Sequence, residues 1–205
     1  MQANRLNHLR YAGRSVAEQQ AAFVDIIRAD KIVHEALIKA RAIDLPDWLM
    51  VSGALYNAVW NKLTDKPSGF GTKDVDLFYF DASDLSYEAE DVVIAKADTH
   101  FAGLPLPVEV RNQARVHLWF EQRFGHPYPE LGSSADALTR FASTTHAVGV
   151  RLLGDGKFHV VAPFGLDDIF SFRIVPNRAI DNRATHEEKA ARAKRQWPEI
   201  TVVPW

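Results

Sequence analysis

The chain has 205 residues, no cysteine and a formal net charge of −2. The lack of cysteine excludes disulfide bonds, thiolate zinc ligands and cysteine nucleophiles, and the slight negative charge argues against a general electrostatic hold on nucleic acid or on acidic membranes. Apolar residues make up 47%, enough at this length for one substantial core, so we predict a single domain over 1–205. The sequence carries neither an apolar leader nor an apolar stretch of membrane length, which predicts a cytoplasmic protein with no membrane partner.

Two helices are predicted in the N-terminal part, over residues 15–41. Ser15-Val16-Ala17-Glu18 has the form of a capping box, which places the start of the first helix, and apolar residues at helical spacing follow it. The second helix is predicted over 31–41 and ends before Leu45-Pro46, because proline disfavours helical continuation.

The middle of the chain alternates between predicted strands and helices. Residues 48–51 fit either a strand or the first turn of the next helix, because so short an apolar run has no readable period. A helix is predicted over 54–63, a strand over 75–80, a second helix over 86–97 and a second strand over 108–112.

The last third is predicted to hold helices on either side of a hairpin. Helices are expected over 114–124 and 135–141, and Gly154-Asp155-Gly156 between two apolar runs is a hairpin signal. Thr185-His186-Glu187-Glu188 has the form of another capping box and predicts a C-terminal helix over 185–197. The fold class is therefore α/β (α+β), with a small mixed sheet flanked by helices and a core over about residues 48–170. In the 114–124 helix, four residues are expected to point mostly inward: Val116, Leu118, Trp119 and Phe120.

Three acidic residues stand in the predicted strands or directly beside them. Asp74 and Asp76 are two positions apart, so a strand presents both on one face, and Glu109 lies in the middle of the second strand. Charge on a half-buried strand costs free energy unless something neutralises it, and divalent cations are the usual partners of clustered carboxylates. These three residues are the candidate metal ligands and catalytic residues.

The order of these features resembles the nucleotidyltransferase fold of the DNA polymerase beta superfamily, whose signature is a Gly-Gly or Gly-Ser turn, then Asp-x-Asp/Glu, then a third acid. The resemblance is closer to a bacterial family of nucleotidyltransferase-like proteins, and its segments span about residues 48–170. The turn reads Ser52-Gly53-Ala54 here. The similar segments are Gly53 to Asn57, Lys73 to Asp76, Glu109 to His117 and Ala162 to Asp168.

The resemblance implies an enzyme that moves a nucleoside monophosphate from an NTP to a hydroxyl or phosphate acceptor. It implies two Mg²⁺ ions, with Mn²⁺ as a possible replacement, held by Asp74, Asp76 and Glu109. In the superfamily the turn before the helix, here Ser52-Gly53, holds the triphosphate. Three nearby cations, expected to counter the phosphate charge, are Lys73, Arg111 and Arg115.

Two other readings stay open at this point. The fold could serve as a catalytically silent nucleotide- or RNA-binding module, or as an interaction protein of the toxin–antitoxin type. A single domain of this size favours a small-molecule or protein acceptor over nucleic acid. Asp167-Asp168 is expected to cap a short helix, and the basic residues of the last helix are expected to form a solvated face; these are Lys189, Arg192, Lys194 and Arg195.

Overall fold

A five-stranded mixed sheet forms the centre of the computed structural model, which describes residues 7–205. Its strands are β1 (Leu49–Val51), β2 (Val75–Tyr79), β3 (Val108–Asn112), β4 (Gly149–Leu152) and β5 (Phe158–Val161), with β6 (Arg173–Ile174) and β7 (Thr201–Val202) paired separately. The helices are α1 (Val16–Ala29), α2 (Lys31–Ile43), α3 (Gly53–Leu63), α4 (Tyr87–Phe101), α5 (Val116–Phe124), α6 (Ser134–Leu138), α7 (Asp167–Phe170) and α8 (Arg183–Gln196).

The strand order is β3-β2-β1-β4-β5, and only β2 and β3 run parallel within this sheet. Helix α4 makes the crossover between these two strands, as a parallel connection requires. The predicted α+β class, a mixed sheet flanked by helices, is confirmed. Residues 48–51, whose sequence fitted strand or helix, supply the central strand β1.

The two faces of the sheet differ in what covers them. On one face, Val75, Leu77 and Tyr79 of β2 join the main apolar core, to which helices α1, α2 and α3 contribute. The opposite face carries a small apolar cluster around Leu49 and Val51. Residues of even number in β2 point to this second face, because side chains alternate along a strand.

Several predicted boundaries change. Helix α8 begins after Asn182, so Thr185 to Glu188 lies inside the helix and is not its cap. The predicted 114–124 helix is a 3₁₀ turn over 113–115 followed by α5, and Leu118 is 56% exposed instead of inward. A capping-box pattern can also occur inside a helix, which explains the first difference. Apolar residues at helical spacing can also lie on the solvent-facing side of a helix, which explains the second.

The remaining helices differ by a few residues. Helix α6 ends at Leu138, three residues before the predicted end, and α4 continues to Phe101. The N-cap of α7 is Leu166, so the Asp167-Asp168 pair lies in the first turn and does not cap it. Instead, Asp167 Oδ1 accepts hydrogen bonds from the Gly13 amide and from Gln19 Nε2, both at 2.7 Å.

Helix α8 is fixed to the body of the protein at both ends. Near its start, Ser143 Oγ and His186 Nδ1 lie 2.8 Å apart in a buried contact. After its end, Trp197 Nε1 donates to Asn61 Oδ1 of α3 at 3.1 Å. No helix among residues 7–205 is long and apolar enough to cross a membrane. Residues 1–6, on which the prediction about a leader partly rests, lie outside the described residues.

Candidate active site

Two of the three acidic residues face each other across the parallel strand pair. Asp76 of β2 lies opposite Glu109 of β3, and Val51 of β1 lies opposite Asp76 on its other side. Asp74 immediately precedes β2 and shares the side-chain parity of Asp76. The structure therefore brings Asp74, Asp76 and Glu109 to the sheet face opposite the main core, as alternation along the strands requires.

The environment of Asp76 concentrates negative charge. Burial, the Asp74 charge and, to a smaller extent, Glu109 together raise the pKa of its carboxyl to about 6. Lys189 and Arg111 act in the opposite direction on the same pKa. The net rise means that the cations present do not compensate the buried charge, which is the condition that favours binding of an additional cation.

Glu109 and Arg111 form a loose ion pair beside this cluster. Arg111 Nη2 lies 3.8 Å from Glu109 Oε2, and both side chains are about half exposed. Arg111 Nη1 also donates to the Val110 carbonyl at 2.8 Å. Within residues 7–205 no three acidic or histidine side chains already form a metal-binding group. The oxygen donors suit a hard divalent cation, but Glu109 is turned towards Arg111.

The Ser52-Gly53 turn begins directly beside the carboxylates, because Val51 lies opposite Asp76. Ser52 has φ 60° and ψ −119°, a backbone conformation that glycine adopts far more easily than serine. Its amide donates to the Val148 carbonyl at 2.9 Å. Within residues 7–205, the Ser52 hydroxyl accepts no capping hydrogen bond from an amide of α3. The Leu55 and Tyr56 amides donate to the Ser52 carbonyl, so the Gly53 and Ala54 amides are the ones that can meet an anion, which the helix dipole also favours.

These elements border a cleft of about 290 Å³. Asp76 and Ser52 lie at one side, with cations from Arg111 of β3 and Lys189 of α8. An aromatic wall covers the other side, where the Phe120 and Tyr128 rings lie 4.4 Å apart between centroids. One cleft therefore combines the Asp76 carboxylate, cations and aromatic surface, whereas Asp74, Glu109 and Gly53 lie outside its lining. The aromatic wall consists of Trp119, Phe120, Phe124, Tyr128 and Phe141.

A buried histidine completes the lining. The His146 ring stacks on Tyr56 with centroids 4.6 Å apart, and its Nε2 has no hydrogen-bond partner within residues 7–205. Burial, followed by the nearby positive charge of Lys189, lowers the pKa of His146 well below its usual range, so the imidazole is neutral at pH 7. Burial likewise raises the pKa of Tyr56 to about 12. The stacked pair presents neutral polar groups next to charged ones.

Two cations expected at the site do not line the cleft. Arg115 is buried and pairs with Glu90 of α4, while its Nε donates to the Leu85 carbonyl at 2.9 Å. It does not line the cleft. Lys73 is exposed at the residue before Asp74 and also lies outside the lining. Of the three cations predicted to counter the phosphate charge, Arg111 alone lines the cleft.

Lys189 and the aromatic wall are the parts of the site that sequence reasoning missed. The sequence shows the basic residues of α8 and predicts that they form a solvated face. No local pattern indicates that Lys189 faces the sheet. The apolar spacing over 114–124 predicts Trp119 and Phe120 as inward-facing residues and does not predict an aromatic wall. An aromatic run next to the third acid was the available signal, and the exposure of Phe124 at 45% shows that this run is not simply core.

Comparison with known proteins gave two matches. A sequence model of a family described as nucleotidyltransferase matches residues 39–202. A solved structure, described as an NMR structure revealing a CCA-adding enzyme head domain, superposes with a TM-score of 0.72 at 24% identity, covering 90% of this chain and 96% of that one. This similarity bears on the fold, which is that of the head domain. No curated protein matches the chain.

Proposed function

The chain belongs to the nucleotidyltransferase family, and from that premise we propose that it is a metal-dependent enzyme which transfers a nucleoside monophosphate from an NTP to a hydroxyl or phosphate acceptor. The observation that carries this proposal is the register that sets Asp76 opposite Glu109, with Asp74 beside them and the Ser52-Gly53 turn adjoining. We place the activity in the cytoplasm, where NTPs are available, and expect a small-molecule or protein acceptor.

The reaction forms one P–O bond and breaks another. An acceptor oxygen attacks the α-phosphorus of the NTP, the bond to the β-phosphate oxygen breaks, and pyrophosphate leaves. Asp74, Asp76 and Glu109 would hold two Mg²⁺ or Mn²⁺ ions, which supply charge neutralisation for the phosphates when bound. Glu109 is also the group placed to accept the acceptor's proton, because it is the most exposed of the three and does not carry the burial of Asp76.

Binding of the triphosphate is assigned to the turn and two cations. The Gly53 amide, at the turn, and the dipole of α3 attract anionic oxygens. Arg111 and Lys189 line the cleft from two elements, so they can engage the phosphates from opposite sides. Lys73, exposed beside Asp74, remains a phosphate contact at the edge of the site. Arg115 is left out of this assignment because Glu90 neutralises it.

The nucleobase is assigned to the aromatic wall. Stacking on an aromatic ring is open to every base, since each has a π face, and it needs no particular hydrogen-bond pattern. Trp119 and Tyr128 lie in the wall, and Arg140 borders the same cleft. The arrangement thus assigns two parts of an NTP: carboxylates and cations to the triphosphate, and aromatic rings to the base.

The test is a thermal-shift titration with each NTP in the presence and absence of Mg²⁺. Wild type is compared with Asp74→Asn and Asp76→Asn, and Asp98→Asn, an exposed aspartate of α4, is the matched control. A ligand at 100 times its dissociation constant adds about 2.7 kcal/mol of stability, so modest affinity is visible. A Mg²⁺-dependent shift lost only in the two site variants supports the proposal. No shift with any NTP contradicts it.

A second candidate is a nucleotide sensor that binds without turnover. The observation that favours it is the Glu109–Arg111 pair, together with the lack of a preassembled metal-binding group within residues 7–205. The two candidates separate in a pyrophosphate-release assay run on the same samples. If wild type forms no pyrophosphate and Glu109→Gln still binds the NTP, the protein is a sensor. If wild type releases pyrophosphate and Glu109→Gln does not, the protein is an enzyme.

A further inference from the structure

A second hollow adjoins the cleft, between α4 and α5. Its volume is about 300 Å³, and it shares Arg111 and Trp119 with the cleft, so the two spaces are neighbours across these side chains. Tyr87 and Glu90 of α4 and Arg123 of α5 line the rest, together with Arg115. We call this hollow the arginine groove. None of its residues outside the shared pair contributes to the site described above.

The groove carries surplus positive charge although the whole chain is slightly negative. Three arginines line it against one carboxylate, Glu90, and that carboxylate is occupied by Arg115 in a buried pair. Arg111 is held only loosely, at 3.8 Å from Glu109. Arg123 is exposed and lies over the Phe124 ring at 5.6 Å. Arg123, which the donor site does not use, is therefore available to an anionic ligand beside Arg111, and phosphate is the anion that guanidinium groups match best.

The groove also carries an exposed aromatic ring. Tyr87 is 69% exposed, yet the Arg115 guanidinium lies 5.7 Å from its ring centroid and restricts its position. Trp119 supplies a second aromatic side chain at the border with the cleft. Aromatic rings beside arginines are the combination that binds a base and its phosphate. The volume, at the lower end of small-molecule pockets, suits one nucleotide unit and not a strand.

The position of the groove suits an acceptor. Arg111 follows Glu109 by two residues in β3, so both side chains lie on the same sheet face. A ligand in the groove therefore lies beside Arg111, two strand positions from Glu109, and next to the cleft that shares Arg111 and Trp119.

We infer that the arginine groove is the acceptor subsite and that it takes a phosphate-bearing nucleoside unit. The inference rests on the proposed function. An acceptor hydroxyl forms the new bond to the α-phosphorus, pyrophosphate leaves, and the hydroxyl proton passes to Glu109. The same chemistry occurs in a free mononucleotide and in the terminal nucleotide of an RNA, and the experiment separates the two.

The experiment measures binding by NMR, using the indole N–H signal of Trp119, assigned with Trp119→Phe. Mononucleotides and a short single-stranded RNA are titrated into wild type, Tyr87→Ala and Arg123→Gln. The matched control is Arg28→Gln, an exposed arginine of α1 that lines neither space. We expect at least tenfold weaker binding in the two groove variants and wild-type binding in the control. RNA binding without mononucleotide binding identifies the RNA terminus as the source, and the reverse identifies the free nucleotide.

A parallel NTP titration with Mg²⁺ keeps failure of this inference distinct from failure of the proposed function. If NTP binds but neither ligand perturbs Trp119, or if both groove variants bind the ligands as wild type does, the acceptor subsite is refuted and the donor site stands. If no NTP binds, the donor assignment fails. Pyrophosphate release that requires the bound mononucleotide or RNA, and that falls in Tyr87→Ala, is the positive result for catalysis.

Discussion

Replacing Asp76 by asparagine should stabilise the metal-free protein at neutral pH. Burial and the Asp74 charge hold the pKa of Asp76 at about 6, against an ordinary value of 3.8. At about 1.4 kcal/mol per pH unit, ionising this carboxyl in the folded protein costs about 3 kcal/mol relative to the unfolded chain. Asparagine keeps the size and polarity but carries no charge. Allowing for relaxation of the half-buried site, we expect a gain of about 1 to 3 kcal/mol in the free energy of unfolding.

The pH dependence gives this prediction its sign. Between pH 3.8 and about 6 the folded protein keeps the proton that the unfolded chain has released, so the wild-type contribution of Asp76 to stability falls as pH rises through this window. In Asp76→Asn this position does not titrate, so its contribution to stability does not fall as pH rises. The difference between the two proteins should be near zero at about pH 4 and reach its full value above about pH 7.

The assay is urea unfolding at several pH values, with EDTA and with saturating Mg²⁺. Asp98→Asn, exposed on α4, controls for loss of a surface carboxylate and should leave the free energy of unfolding within about 0.5 kcal/mol of wild type. Mg²⁺ should stabilise wild type and not Asp76→Asn, since only the carboxylate binds the ion. A stability difference that is constant with pH would refute the argument, because it would not come from buried charge.

Three further predictions concern single side chains. Ser52→Gly should raise the free energy of unfolding by about 1 kcal/mol in urea titrations, since Ser52 has a φ of 60° that costs a non-glycine residue stability; an unchanged or lower value would show that the turn is unstrained. Arg115→Met should lower the free energy of unfolding by about 3 to 5 kcal/mol, because Glu90 is left buried without its partner. The double variant with Glu90→Gln should recover part of that loss. An equal loss in the single and the double variant would contradict the pairing. Lys189→Gln should weaken NTP binding about tenfold in thermal-shift titrations, because Lys189 lines the cleft. The control Arg195→Gln, at an exposed position of the same helix, should bind NTP as wild type does. Equal effects of the two substitutions would place Lys189 outside the phosphate site.

The sheet and its acidic residues were accessible from sequence because strand periodicity is local. Alternation in β2 and the single acid in β3 were enough to predict two strands with their carboxylates on defined faces. The pairing that sets Asp76 opposite Glu109 is different, because it depends on the length of the α4 crossover and on how α4 packs. The resemblance to a nucleotidyltransferase family supplied the expectation that the acids meet.

Side chains whose partners are distant in sequence were the least predictable. Arg115 follows the third acid closely, and only the fold reveals that Glu90, 25 residues earlier, holds it. Lys189 belongs to a helix with an ordinary basic pattern, and its position at the cleft depends on the contacts of His186 and Trp197 that fix α8. Charge patterns indicate which residues are available, whereas tertiary contacts decide where each charge acts.

The parallel pairing of β2 with β3 also bears on how the protein folds. Asp76 and Glu109 become neighbours only when the chain between them has formed α4 and returned, so no short segment can assemble the carboxylates alone. Their mutual repulsion opposes this pairing, and it acts in the folding transition state to whatever extent β2 and β3 are paired there. Mildly acidic conditions, by protonating Asp76, should therefore favour the pairing of the two strands. The carboxylates proposed to perform the chemistry thus oppose the formation of the sheet that carries them.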